Sequence, residues 1–144
     1  MRLLAASAAT GVIVAMIVAL FDALTVEVVY EWLLDQELSI QAAAPFLGAV
    51  GAVLILRSVG FNASASTSDE YVRAFHDRSP SIPLREVPGK LAAGITTIGL
   101  GGAVGLEGPS IYAGSAFGLS VNSRLGRWLQ RDEAKVLMTA GAAA

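Results

Sequence analysis

The chain has 144 residues, 54% of them hydrophobic and 15% charged, with a formal net charge of -2 and no cysteine. A soluble domain carries about 25% charged residues, and the mean hydropathy here is +0.61. A soluble domain, a disulfide scaffold and thiol chemistry are therefore excluded, and the small net charge says little about partners. The apolar residues fall in long blocks, which is the pattern of an integral membrane protein.

The first block runs from Leu3 to Leu24 with Asp22 as its only charge, longer than the roughly 20 residues a spanning helix needs. A secretory signal has an apolar core of about 7–15 residues that ends at its cleavage site. This block continues well beyond the small residues Ala5–Ala9, so a retained helix over 3–34 is expected. Glu27, Glu31 and Asp35 recur at helical spacing as the helix leaves the bilayer, where Tyr30 and Trp32 suit the headgroup layer. Asp22 reads as an acid near a helix end, reaching a neighbour or water. Gln41 to Leu56 carries no charge, and a second span over 39–57 follows.

Charge asymmetry orients these spans. The connection after Leu34 holds Asp35 and Glu37, whereas the one from Arg57 to Lys90 holds Arg57, Arg73, Arg78, Arg85 and Lys90. Basic loops stay cytoplasmic, so the first helix runs outward and the second returns. Within the basic connection, Thr67 and Glu70 stand at capping-box spacing and predict a short helix over 67–76. Tyr71 and Phe75 sit four apart and pack one helix face. The single His76 has no second histidine or cysteine at ligand spacing, so no metal site is expected. No phosphate loop, nucleophile motif or nucleic-acid signature occurs, and no enzyme activity, cofactor or nucleic-acid partner is expected.

The next basic cluster is Arg124, Arg127, Arg131 and Lys135. If both clusters are cytoplasmic, the apolar stretch between them enters the membrane, breaks and returns. Gly99, Gly101, Gly102, Gly105 and Gly108, followed by Pro109, mark the break, since each glycine disfavours a continuous helix by roughly 1 kcal/mol. Helices over 86–101 and 107–119 are predicted, then further helices over 122–130 and 133–144. Ser110, Gly114 and Gly118 recur every four residues and form a packing face. Broken backbone at membrane depth is tolerated where it is buried or lines a cavity, and a helix start aimed into that cavity attracts anions. Glu107 is the one Asp, Glu, Lys, Arg or His between Lys90 and Arg124. A charge at a helix centre in lipid is unfavourable by roughly 2.5–3.5 kcal/mol or more, which points to an ion or proton pathway.

Gly105-Leu106-Glu107-Gly108-Pro109 resembles the G-(K/R)-E-G-P signature of the CLC family of chloride channels and chloride/proton antiporters. The preceding Arg85–Lys90 segment and the later Gly141-Ala142-Ala143-Ala144 resemble the family in the same order. The resemblance implies an all-α, polytopic integral membrane protein with broken and re-entrant helices. It implies transport of chloride or a similar small anion, coupling to protons, and a homodimer in the cell membrane, in contact with lipid. It gives Glu107 the gating role and places the anion on backbone N–H groups around Leu106, Glu107 and Gly108. Burial favours a neutral carboxyl and N–H donors favour the charged one, so an acid held between them is suited to exchanging protons.

Two positions depart from the family. Leu106 stands where a basic residue is usual, and G-S-G-I-P is absent in that form, leaving anion selectivity open. Counting back by the usual spacing reaches Ala65–Glu70, where Ser66 is the preferred anion contact and Thr67 and Ser68 are its neighbours. The resemblance covers an N-terminal part, so the chain is expected to be a fragment, with channel and antiporter both open. The alternatives are a membrane-anchored helix-packing or assembly protein, and an unrelated secondary transporter with broken helices.

Overall fold

The computed structural model describes residues 2–125 and 133–144. Part of the helix expected over 122–130, with Arg127 and Arg131, lies outside them. Among the described residues every regular element is helical: α1 (Arg2–Ala23), a π-helical segment (Leu24–Tyr30), α2 (Glu31–Leu34), α3 (Leu38–Ser58), α4 (Ser68–His76), a 3-10 turn (Leu84–Glu86), α5 (Val87–Gly99), α6 (Glu107–Leu125) and α7 (Glu133–Ala142).

Two stretches, Leu3–Leu34 and Leu38–Ser58, are long and apolar enough to cross a membrane. Only 17% and 11% of their most apolar windows are buried inside the protein, whereas the core helix of a soluble protein is mostly buried. Leu4, Met16, Leu20, Phe46, Leu47 and Leu54 stand exposed along them, a surface that lipid can solvate. The protein is an integral membrane protein.

The first span is not uniformly α-helical. The Thr25 hydroxyl donates to the Phe21 carbonyl at 2.6 Å, a local bond that competes with the helix ladder. The backbone widens to π geometry from Leu24, and α5 packs against the widened segment. A β-carbon at Gly99 would lie 2.7 Å from Val29 Cβ, so only glycine admits this approach.

α3 and α5 run antiparallel. Gly60, just past α3, meets Gly89 at the start of α5, while Pro45 of α3 lies beside Gly101 beyond the end of α5. Pro45 is seven residues into α3, which places the break roughly 10 Å along a helix of 1.5 Å rise per residue. The break is therefore within the span of α3. Neither α5 nor α6 meets the length and apolarity of a span.

α6 is one helix to Leu125, a correction to the break expected between 119 and 122. No glycine or proline lies between Gly118 and Gly126, so nothing there interrupts the ladder. Gly114 packs on the Gly141 carbonyl and Gly118 on the Leu137 carbonyl, which sets α7 directly against α6. Beneath this contact Tyr112, Ala113, Ala116 and Met138 form a core with Ala74, Ile82 and Val87.

Candidate anion site

α5 ends in a tight series of turns. Gly101 N–H donates to the Ile98 carbonyl at 2.9 Å and Gly102 N–H to the Thr97 carbonyl at 2.8 Å. Gly101 has φ +84°, the left-handed region in which a β-carbon is strained. The chain then doubles back and α6 starts at Glu107, its first turn closed by Ser110 N–H on the Leu106 carbonyl at 3.2 Å. The Ser110 hydroxyl donates to the same carbonyl at 2.8 Å. At the start of a helix the first N–H groups have no carbonyl a turn behind them. Here those groups belong to Glu107 and Gly108, and Pro109 has no N–H to offer.

Two cavities that share no lining residue meet this helix start. One, about 200 Å³, is lined by Ser64, Thr67, Lys90, Thr97 and Pro109 among mainly apolar neighbours. A β-carbon at Gly108 would lie 2.6 Å from the Thr67 hydroxyl oxygen, so this hydroxyl sits against the first turn of α6. The other cavity, about 500 Å³, is lined by Leu106, Glu107 and Ser110 of α6, by α1 residues including Asp22, and by 141–144. The structure thus brings Asp22 to the same cavity as Glu107.

Ser66, the preferred contact from the sequence, does not line either cavity. Its hydroxyl donates to Asp69 at 3.4 Å, and its carbonyl accepts from Lys90 at 2.5 Å. Thr67, its neighbour, lines the smaller cavity, with Ser64 on the same wall. The capping box also takes a different form. The Thr67 side chain makes no capping bond, and the Glu70 carboxylate pairs with Lys90 at 2.9 Å. That pairing is favoured because a buried ammonium without a carboxylate is far more unfavourable than a helix start without its box.

Lys90 is the residue that the sequence reading missed. It appears there as the last cation of a basic loop, yet its side chain is 2% exposed. Its Nζ sits 3.9 Å from the Tyr112 ring centroid, and the Tyr112 hydroxyl donates to Glu86 at 3.3 Å. The signal was its position, at the point where the basic loop gives way to the apolar helix. His76 meets the Val72 carbonyl through Nδ1 at 2.8 Å, an exposed local contact.

A broken helix over a cavity, an isolated acid at the helix start and one buried cation describe an ion pathway in general terms. A family model described as voltage gated chloride channel matches residues 47–144. The chain belongs to the voltage-gated chloride channel family. No curated protein and no solved structure matched it. The matched stretch takes in Ser64, Thr67, Lys90 and Glu107, whereas Asp22 and the first span precede it. Members of the voltage-gated chloride channel family are channels or transporters rather than enzymes, and chloride transport is the general function that membership carries. It favours anion transport over the assembly protein and the unrelated transporter.

Proposed function

We propose that the protein moves chloride or a similar small anion across the membrane as part of a homodimer, with Glu107 as its gate. The observation that carries this reading is the break over residues 100–106, which starts α6 between a cavity walled by Thr67, Lys90 and Pro109 and a second one lined by Glu107. The Thr67 hydroxyl and the first N–H groups of α6 offer donors to an anion, with the Lys90 ammonium on the same cavity wall. Such a site binds by preorganised dipoles, weakly enough for the ion to leave. Leu106 adds no charge at this point, so its part is confined to the backbone.

The Glu107 carboxylate is itself an anion at the same helix start. Charged, it competes with the transported ion for the α6 donors; protonated, it loses that attraction and yields the place. The proton leaves to water or to the second cavity, so the step is a reversible acid–base exchange. The test is chloride efflux from liposomes containing the full-length protein. Chloride efflux well above that of gluconate supports the reading. Equal leak of both, or none of either, overturns it.

A further inference from the structure

We propose that the cytoplasmic end of α3 holds the headgroup of an anionic phospholipid, with Arg57 and Arg85 as its phosphate contacts and Phe61 as a wedge into the leaflet. The inference is independent of where the transported anion binds. α3 presents a lipid-facing surface that includes Val53 and Leu54. That surface continues past the helix end through Val59 and Phe61, both exposed. Arg57 stands in the last turn of α3, and the Arg85 guanidinium carbon lies 5.6 Å from the centroid of the Phe61 ring. Both arginines are exposed, and neither makes an ion pair among the described residues. The acid next to Arg85, Glu86, accepts instead from the Tyr112 hydroxyl at 3.3 Å.

Phe61 is more than an exposed residue in a basic loop. Phe61 and Asn62 have φ +56° and +58°, the left-handed region, where a bulky side chain is an outlier. The turn closes the end of α3: Gly60 N–H donates to the Ile55 carbonyl and Asn62 N–H to the Leu56 carbonyl, each at 2.9 Å, which satisfies carbonyls that a helix end leaves open. Glycine would close it with less strain. The phenylalanine adds nothing to the core, since it is 62% exposed. Strained backbone of this kind clusters at functional positions, and here it sets an apolar ring at the membrane surface beside a guanidinium. Such a set matches a phospholipid. Guanidinium groups bind phosphate oxygens through paired N–H donors, while the ring and Val59 meet the acyl chains. Anionic lipids enrich the cytoplasmic leaflet, the side that the basic Arg57–Lys90 connection marks.

The test is native mass spectrometry of the full-length protein in detergent, titrated with phosphatidylglycerol and with phosphatidylcholine of the same acyl chains. Phosphatidylglycerol is expected to be retained in preference. Arg57→Gln and Arg85→Gln are each expected to lower that preference roughly fivefold, the order for one basic residue at an anionic surface. Phe61→Gly suits the same backbone, so it keeps the turn while removing the ring, and it is expected to weaken phosphatidylglycerol binding severalfold. Arg78→Gln, which removes an exposed cation from the loop after α4, is expected to change nothing. Equal retention of the two lipids by the wild type overturns the inference, as does wild-type preference in all the variants. An equal loss in Arg78→Gln also overturns it, because that loss marks general charge attraction. So does displacement of phosphatidylglycerol by inorganic phosphate, which assigns the arginines to a soluble anion.

Discussion

Under the proposed gating, Glu107 and an anion are rivals for the start of α6, since the N–H groups there attract a carboxylate as they attract a chloride ion. Glu107→Gln keeps the shape and removes the charge. Chloride flux per folded protein is expected to be intact or faster in that variant. In the wild type, flux should rise as the external solution is acidified, because protonation removes the carboxylate's charge. The variant's profile should be flat, and parallel profiles would remove Glu107 from the gating role. A second test concerns the contact beside it. A β-carbon at Gly108 lands 2.6 Å from the Thr67 hydroxyl, whereas one at Gly105 finds only the Glu107 nitrogen at 3.9 Å. Gly108→Ala is expected to weaken chloride binding severalfold by displacing Thr67, and Gly105→Ala to leave it unchanged. Equal affinities would show that Thr67 and the α6 start do not form one site. Glu107 was legible in the sequence because a lone acid in an apolar stretch stands out without knowledge of its neighbours. Lys90 was not, since its partners Glu70 and Ser66 come from 20 and 24 residues away. Ser66 and Thr67 differ by one position in a serine-rich stretch, and which of them faces a cavity is decided by the helix that follows.

Among the elements, the broken helix was the most readable, because glycine and proline act locally on the backbone. The π-helical segment was not foreseen. It depends on α5 lying against the first span, a contact made possible by Gly99 far along the chain. The small-residue face of α6 packs on α7, as its spacing implied. In the structure Gly118 abuts the Leu137 carbonyl, and an added β-carbon would lie 2.9 Å from Met138 Cα. Backbone atoms cannot rotate away as a side chain does. Gly118→Val is therefore expected to destabilise the protein by about 1–3 kcal/mol or more, the range for overpacked cores. Thermal unfolding in detergent, read beside Gly105→Ala, checks this. A Gly118→Val variant that melts with the wild type would mean that α6 and α7 do not pack this closely in the membrane.

The path of the whole chain through the bilayer follows from which ends meet. α3 returns to the side of the Arg57–Lys90 connection, since Gly60 and Gly89 touch there. α5 sets out from that side and has 13 residues, roughly 20 Å at 1.5 Å per residue against a hydrocarbon core of about 30 Å. It stops short of crossing. α6 then runs back along it: Pro109 lies near Gly94, and Tyr112 reaches Lys90 and Glu86 at the start of α5. The C-terminal end of α6, with Arg124, should thus emerge on the side of Arg73, Arg78 and Arg85, which basic residues mark as cytoplasmic. Because the chain has no cysteine, single cysteines report cleanly. Ser79 and Ser123 are both exposed, one in the loop after α4 and the other near the end of α6. Cysteines there are expected to resist an impermeant thiol reagent outside intact cells and to react once the membrane is opened. A cysteine at Glu37, in the acidic connection between the first two spans, should label from outside. Labelling of Ser123→Cys but not Ser79→Cys from outside would mean that the stretch 91–122 crosses once. The helix start at Glu107 would then no longer be the turning point of a hairpin, and the case for an anion site there would lose its geometric basis.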